Sequence, residues 1–585
     1  MRRFLQTPAW PIWLLILTLT FVQGVIWLNT IPPWGAPDEP GHFLYVQLFA
    51  ELGRAPRPED VTPERWRNVI ASMEAHRWSA YVHPQGSETP PTQDPIFLAS
   101  GAQIGQKPPG YYALAAGWLR LLPHWREQPL ARQLRWLRWL SLLLHTLTTA
   151  MALGLTRRLW PDARHRALGM GLLTGLLPMV GFIGVSVNND ALTMLWGAAG
   201  FAGLILARTR LGWSLMLAWT VLGTVGIDAG LAFLWPLALA RWLFFAPAPH
   251  GLRLRPHAEL RASWRVGVIL ALILIPSFLL IPNPHWAAGW RPIETGRSRA
   301  DGQLFLQAKG APARISQTLS GLLIVQRQGQ PLTVTVQAAG SGGTLIMRLV
   351  EEGGESEALC PLSAQIPTTC QLTHGLSVRA HHIGLHLILP AGKARIRVVL
   401  TDPAGWSLLL NGDGAIPAPL GDPLFTWLEK RLPLPAGYFS RALYGHAWDV
   451  PSLIRYAAYG AFAWASFWGW FGWLTRPFPW WVYVVLAVAT LAALVGLWRK
   501  VFSGRRAAGE AEWLAAGAVW LISVQVFAPM LGQAWQPQGR YFFPALLPMA
   551  ILLILGWEAL IPSSRRDWLP AGILLALTAL NLLAL

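Results

Sequence analysis

The sequence has few charged residues and very few cysteines. Only 13% of its 585 residues are Asp, Glu, Lys or Arg, about half the share that is typical of soluble globular domains. This excludes a soluble enzyme of ordinary composition. The only two cysteines, Cys360 and Cys370, exclude a disulfide-rich scaffold, and two thiols alone are too few ligands for a zinc finger. What is abundant is apolar: 53% of the residues are hydrophobic, and the mean hydropathy is +0.37.

Apolar runs of membrane-spanning length, about 17–25 residues, recur along the chain. They predict a polytopic α-helical membrane protein with about eleven transmembrane helices. The predicted spans are 11–28, 136–155, 168–187, 191–207, 211–225, 229–245, 266–281, 481–497, 513–528, 544–560 and 569–585. No small-residue cleavage site follows the first run, so we interpret it as a retained signal anchor.

Basic residues outnumber acidic ones by 47 to 29, but their positions argue against nucleic acid as a partner. Arginine clusters such as Arg2-Arg3, Arg157-Arg158 and Arg565-Arg566 flank alternate ends of the apolar runs. This is the positive-inside pattern of an integral membrane protein. It predicts that the N-terminus lies on the cytoplasmic side and that residues 30–135 form a large extracytoplasmic loop.

One apolar segment, residues 452–474, is long enough to cross but is predicted not to. Crossing would place Arg499, Lys500, Arg505 and Arg506 outside. The segment is also dense in Trp and Phe, which favour the membrane interface. We therefore predict a helix or re-entrant segment packed at the outer surface.

The long polar region predicts an inserted extracytoplasmic β-sandwich. Segments 332–337, 344–350, 383–389, 394–400 and 406–410 alternate or are β-branched, with Gly, Pro and Asn between them. Outside the cytoplasm a local disulfide between Cys360 and Cys370 is expected, with two free thiols as the alternative. Three domains result: a transmembrane module over 1–284, the sandwich over 285–450, and an interfacial aromatic segment with the last transmembrane helices over 451–585.

Four polar clusters fall on the outer side in this topology. The first loop holds two adjacent carboxylates between prolines. The candidate residues are Asp38, Glu39, His42, Tyr45, Lys107, Tyr111, Tyr112, Asn189, Asp190, Arg540 and Tyr541. Their convergence on one face predicts a site.

Transfer from a lipid-linked phosphate donor is the chemistry that fits these residue types. Asp38, with Glu39 as second choice, can act as general base on an acceptor hydroxyl or can bind a divalent cation such as Mg²⁺ or Mn²⁺. Arg540 can hold the leaving phosphate. Each residue also has a structural interpretation: Asp38 and Asn189 could cap the helices that follow them, and Lys107 could extend toward the interface.

At these positions the chain resembles the DUF2142 family of bacterial membrane proteins, which is related to the GT-C glycosyltransferases. The matching segments, in family order, are Pro37-Asp38-Glu39-Pro40 with His42 and Tyr45, Lys107-Pro108-Pro109-Gly110-Tyr111-Tyr112, Asn188-Asn189-Asp190, the aromatic run Ser466 to Trp473, and Gly539-Arg540-Tyr541-Phe542-Phe543-Pro544.

The resemblance implies a GT-C fold, a polyprenyl-phosphate sugar donor, Asp38 as the catalytic or metal-binding acid, and Arg540 as a contact of the donor phosphate. The acceptor would be an extracytoplasmic glycan, and the sandwich looks like a carbohydrate-binding module, with a structural lid as the alternative. One departure is Asp228, which stands where related proteins often carry a lysine. We therefore predict a membrane glycosyltransferase; the alternatives are a lipid-linked oligosaccharide transporter or flippase, and a non-catalytic glycan-binding assembly subunit.

Overall fold

The computed structural model describes residues 10–57, 60–83, 107–207, 209–248, 251–254, 282–287, 289–292, 304–320, 327–351, 353–380, 382–405, 407–409, 411–414, 417–419, 450–502, 510–532 and 537–585, with a few single positions between them. It forms two compact units. One consists of Met1–Arg255, Ala461–Val526 and Gln538–Leu585, and the other of Pro256–Gly460 and Phe527–Pro537.

The first unit is helical. In chain order the helices of the described residues are α1 (Trp10–Thr30), α2 (Glu39–Leu52), α3 (Pro63–Ala75), α4 (Trp78–Val82), α5 (Gly110–Arg120), α6 (Leu130–Leu159), α7 (Arg164–Leu176), α8 (Pro178–Gly184), α9 (Asp190–Leu206), α10 (Arg210–Gly226), α11 (Leu234–Phe244), α12 (Val450–Trp468), α13 (Trp480–Phe502), α14 (Glu510–Gly532), α15 (Leu546–Leu560) and α16 (Leu569–Ala584). Short 3₁₀ helices cover Trp125–Glu127, Ala229–Phe233, Gly539–Ala545 and Ser563–Trp568.

The expected count of about eleven spans is wrong. By length and composition, five helices of the described residues could cross a membrane: Pro11–Thr30, Leu130–Leu159, Trp480–Lys500, Gly539–Leu560 and Ser563–Ala584. Other predicted runs form helices whose described apolar stretches are shorter, for example α9 and α10, and the run at 266–281 lies outside the described residues. Hydropathy located the helices but counted apolar runs near the lower limit of membrane-spanning length as spans.

The run predicted at 168–187 forms two helices rather than one. Helices α7 and α8 meet at an angle of 54°. Pro178 opens α8 and has no N–H to continue the α7 ladder, and it holds Leu177 in an extended conformation. If the pair acts as one broken span, six segments can cross.

The described residues of the second unit contain two larger antiparallel sheets and the two-stranded pair of Pro282–Ala287 (β3) and Pro417–Pro419 (β13). The strands of the described residues are β1 (Phe245–Ala248), β2 (Gly251–Leu254), β3 (Pro282–Ala287), β4 (Arg291–Pro292), β5 (Leu304–Gln307), β6 (Ala313–Ser320), β7 (Pro331–Ser341), β8 (Thr344–Glu351), β9 (Gly354–Pro361), β10 (Thr368–Gly375), β11 (His382–Leu389), β12 (Lys393–Thr401), β13 (Pro417–Pro419), β14 (Trp470–Phe471) and β15 (Arg476–Pro477). Four of these strands belong to the first unit. There β1 pairs with β2 in one hairpin, and β14 pairs with β15 in another.

The sheets have the orders β10-β7-β12-β5 and β4-β6-β11-β8-β9. Alternate residues of their strands, such as Val334, Val336, Leu385 and Leu387, are buried in a shared core. Cys360 on β9 and Cys370 on β10 form a disulfide, and each of these strands is an edge strand. The predicted segment 406–410 contributes only an isolated bridge between Thr401 and Ser407.

The aromatic segment is a helix followed by a tight turn. Helix α12 is not among the membrane-length apolar helices of the described residues, which agrees with the predicted non-crossing segment. After α12, Gly472 has a φ of 63° and the chain reverses into β15. A side chain at this φ would be strained, so Gly suits the turn.

Candidate functional site

Asp38 lies at the start of α2 in an uncommon backbone conformation. Its φ is 60° and its ψ is 2°, in the left-handed region, which Asp tolerates better than most residues. Although it occupies the N-cap position, its side chain makes no capping hydrogen bond. The capping interpretation is therefore wrong, and the carboxylate points elsewhere.

Arg540 is the partner of Asp38. It lies in the 3₁₀ helix Gly539–Ala545, and its Nη2 is 2.5 Å from Asp38 Oδ2. Its Nη1 is 3.9 Å from Asp190 Oδ2. The Arg540 side chain is only 8% exposed, and its buried Nε has no hydrogen-bond partner among the described residues. Arg540 thus faces two carboxylates and keeps a buried N–H for which the described residues show no acceptor.

Close packing against α12 sets the position of Arg540. The Gly539 N–H donates a 2.9 Å hydrogen bond to Ser466 Oγ. A Cβ on Gly539 would lie 2.0 Å from the Phe467 nitrogen, so only glycine fits there. The aromatic segment therefore supports the arginine without contacting Asp38 itself.

Lys107 provides a second cation, and it is paired with the unexpected Asp228. Lys107 Nζ is 3.0 Å from Asp228 Oδ2, and Asn189 Nδ2 donates to the same oxygen at 2.5 Å. The other oxygen, Oδ1, accepts from the Gly230 N–H and caps the helix Ala229–Phe233. Asp228 is thus neutralised by Lys107, rather than left to repel a phosphate.

Packing between two helix ends brings these residues together. A Cβ on Gly110 would lie 2.4 Å from the Gly226 carbonyl oxygen. Because the start of α5 touches the end of α10, Lys107 reaches Asp228, which is 121 residues away in sequence. Asn189 makes no capping bond with its side chain; the neighbouring Asn188 Oδ1 instead accepts from the Asp190 N–H.

Glu39, the second candidate acid, has a different environment. It is fully buried and forms a bidentate ion pair with Arg138, with distances of 2.6 and 2.9 Å. Arg138 also donates to the carbonyls of Ile31 and Pro32, and the Val187 N–H donates to Glu39. All strong hydrogen-bonding groups of this pair are therefore used within the protein.

The aromatic candidates form a buried support next to the charged residues. Tyr45 and Tyr112 stack with ring centroids 3.7 Å apart, and Tyr111 meets Tyr112 edge to face. The Tyr112 hydroxyl and His42 Nδ1 are 2.8 Å apart. Since Tyr111 and Tyr112 are 0% exposed, they position their neighbours in this arrangement. Tyr541 lies next to Arg540, whose guanidinium carbon is 5.6 Å from the ring centroid.

The protonation states follow from burial and neighbouring charges. Burial raises the pKa of Asp38, but Arg540, His42 and Lys107 together outweigh it, so the pKa lies below its usual value. Burial is the main reason that the pKa of His42 falls to about 3. Burial lowers the pKa of Lys107, yet Asp228 and Asp190 raise it above the usual value. At neutral pH, Asp38 is ionised, His42 is neutral and Lys107 is charged.

The two carboxylates predicted as metal ligands do not face a common point, since Asp38 turns to Arg540 and Glu39 to Arg138. In the part of the chain that the structure describes, no group of three or more His, Cys, Asp or Glu side chains could hold a metal ion. These residues do not fit the predicted Mg²⁺ or Mn²⁺. Arg138 was not among the residues predicted from the sequence. The feature that could have identified it is a single arginine inside an apolar run.

No protein-family model and no curated protein matches this sequence. Among solved structures, the chain is similar to the enzymatically active domain of tailspike protein 4 of bacteriophage CBA120, with 14% identity and a TM-score of 0.17. The match covers 22% of this chain and 20% of the tailspike chain, so this chain spans about a fifth of that domain.

Proposed function

We propose that this protein is a membrane glycosyltransferase of the GT-C type, which transfers a sugar from a polyprenyl-phosphate donor to an extracytoplasmic glycan or other acceptor. The active side would face outward from the bacterial cytoplasmic membrane. The observation that carries the proposal is the position of Asp38. Its carboxylate is 22% exposed, makes no capping bond, and lies 2.5 Å from a buried arginine.

The cations suit a phosphate leaving group. Arg540 keeps one buried N–H without a partner among the described residues, and Lys107 is 34% exposed. Both are held at the edge of an apolar helical unit, where a lipid-linked phosphate would arrive. A guanidinium and an ammonium placed there stabilise the negative charge that develops on a departing phosphate.

The proposed reaction is a single displacement with inversion. Asp38 takes the proton from the acceptor hydroxyl, and the hydroxyl oxygen forms a bond to the anomeric carbon. The bond from that carbon to the phosphate oxygen breaks, and its electron pair leaves with the polyprenyl phosphate. Donor binding must first draw Arg540 from Asp38 toward the phosphate, which frees the carboxylate to act as base.

The test is transfer in vitro from a panel of polyprenyl-phosphate sugars by the purified full chain in lipid nanodiscs. We expect Asp38→Asn to lower the rate by about 10²–10⁴-fold, as for loss of a general base. Arg540→Ala should also lower it strongly. The matched control is Asp567→Asn, because Asp567 is 93% exposed and belongs to the helix Ser563–Trp568. Wild-type rates in Asp38→Asn would overturn the assigned role.

A non-catalytic glycan-binding subunit is the second candidate. The observation that favours it is that both cations already have carboxylate partners, Arg540 with Asp38 and Lys107 with Asp228. This candidate predicts binding of a lipid-linked glycan by wild type with no transfer from any donor of the panel. That result would reject the enzyme and retain the binding role.

A further inference from the structure

A second feature of the helical unit is an apolar groove on its surface. The groove has a volume of about 570 Å³ and is formed by α7, α13, α15 and α16 with the turn before α16. Its walls are almost entirely apolar, for example Leu486, Trp557, Ile573 and Leu577. The size is in the range of cavities that hold small ligands or single lipid chains.

The surroundings of the groove identify the kind of molecule that fills it. Helices α13 and α16 also carry large apolar side chains that are well exposed, such as Val485, Leu491, Leu575 and Leu582. Both helices belong to segments long and apolar enough to cross a membrane. The groove therefore opens onto a face that contacts lipid chains rather than water.

One cation marks one end of the groove. Arg565 is the only charged residue among the described residues that line it, and it is exposed. Next to it, Trp568 is 74% exposed, as is typical of a ring at the membrane interface. The other end reaches Trp468, which closes α12. An apolar track with a cation at a single end matches a lipid chain with an anionic headgroup.

We propose that this groove binds one acyl chain of an anionic phospholipid, with the headgroup phosphate on Arg565. The donor of the proposed reaction is a poor match. Segment Gly539–Leu560 has 22 residues and separates Arg540 from Arg565 by about 30 Å along the helix. A phosphate held by Arg540 cannot also lie on Arg565, so a lipid whose phosphate is on Arg565 is a different molecule from the donor. This inference requires membrane insertion but not glycosyl transfer.

Gly572 allows a direct test. It lines the groove, and a Cβ there would meet no atom within 4 Å. Gly572→Leu should place a side chain in the groove from a position where its Cβ meets no atom, and leucine favours the helix more than glycine does. The matched control is Gly117→Leu in α5, where a Cβ also meets nothing within 4 Å. Arg565→Gln removes the cation, with the exposed Arg67→Gln in α3 as its control.

Native mass spectrometry of the full chain would measure binding of palmitoyl-oleoyl phosphatidylglycerol and of the matching phosphatidylcholine. We expect wild type and both controls to prefer phosphatidylglycerol by about fivefold, the effect of one basic residue at a membrane surface. Arg565→Gln should bind both lipids equally, and Gly572→Leu should lose binding of both. Equal binding of the two lipids by wild type, or unchanged binding in Gly572→Leu, would overturn the proposal.

Discussion

Asp38 and Glu39 are adjacent in sequence, and each is paired with an arginine, yet their surroundings differ. The Glu39–Arg138 pair is closed: its side chains are 0% and 3% exposed, and carbonyl and amide groups of the backbone complete its hydrogen bonds. The Asp38–Arg540 pair is open, because Asp38 is 22% exposed and the Arg540 Nε has no partner among the described residues. The closed pair joins α2 to α6, whereas the open pair keeps one carboxylate partly accessible.

In the proposed function the two adjacent residues have separate roles, structural support for Glu39 and chemistry for Asp38. A buried charge with all its hydrogen bonds satisfied holds elements together, and removing one partner is costly. A charge that keeps some exposure and an unsatisfied neighbour can bind or transfer a proton. The left-handed backbone at Asp38 turns it away from the direction of Glu39.

The largest expected effect is on the closed pair. Glu39→Gln leaves the Arg138 charge buried without a counter-ion, and we expect a loss of about 3–5 kcal/mol in the free energy of unfolding. Asp38→Asn should cost less than Glu39→Gln, because Asp38 is partly exposed and Arg540 keeps Asp190 nearby. Thermal unfolding in nanodiscs measures both variants, and equal losses would contradict the distinction.

The next effect concerns His42, which is buried beside the open pair. Its pKa in the folded protein is about 3, below the usual 6.5, so the unfolded chain takes up a proton that the folded protein does not. Stability should therefore fall as the pH drops below 6.5, by about 1.5 kcal/mol between pH 6.5 and 5. Thermal unfolding of wild type and His42→Gln at both pH values checks this. The same pH dependence in the variant would assign the effect to other groups.

A smaller effect is expected at Lys107 and Asp228. Removing the Asp228 charge frees Lys107, so Asp228→Asn should tighten binding of a polyprenyl phosphate by about fivefold, the upper range for a partly exposed pair. Lys107→Gln should weaken binding by a similar factor. Titration followed by tryptophan fluorescence measures both, and weaker binding by Asp228→Asn would show that Asp228 assists the anion.

The smallest effect is at Tyr112. Tyr112→Phe removes the hydroxyl that lies 2.8 Å from His42 Nδ1, and we expect a loss of about 0.5–1.5 kcal/mol. Tyr45→Phe is the control, because its hydroxyl makes only a 3.4 Å hydrogen bond to the Lys107 carbonyl. Thermal unfolding should rank Tyr112→Phe as the more destabilised variant, and the reverse order would contradict the role of the His42 bond.

The sequence predicted the positions of the helices well because apolar runs are local. The predicted spans 11–28 and 569–585 correspond to α1 and α16 within a few residues. It failed on the number of spans because short apolar runs were counted as spans, and the helices at two of them, α9 and α10, have only 17 residues each. Hydropathy alone does not distinguish a short spanning helix from a buried helix of the same length.

The candidate site was predictable in its members but not in its pairings. The structure pairs Asp38 with Arg540, and it places Lys107 and Asn189 on one carboxylate oxygen of Asp228. The pairing of Glu39 with Arg138 and of Lys107 with Asp228 depends on contacts across 99 and 121 residues. A single sequence contains no local signal for such contacts. From the sequence alone Asp228 was therefore unfavourable for phosphate binding, whereas the structure pairs it with Lys107.

The disulfide between Cys360 and Cys370 has a consequence for self-association. It joins β9 and β10, and each strand ends one of the two sheets. Unpaired strand edges can recruit strands from other molecules. Ser356 Oγ and His374 Nδ1, 2.8 Å apart, connect the same two strands a second time. The covalent link therefore directs two open edges toward each other within one molecule, which limits edge-to-edge pairing with a second molecule.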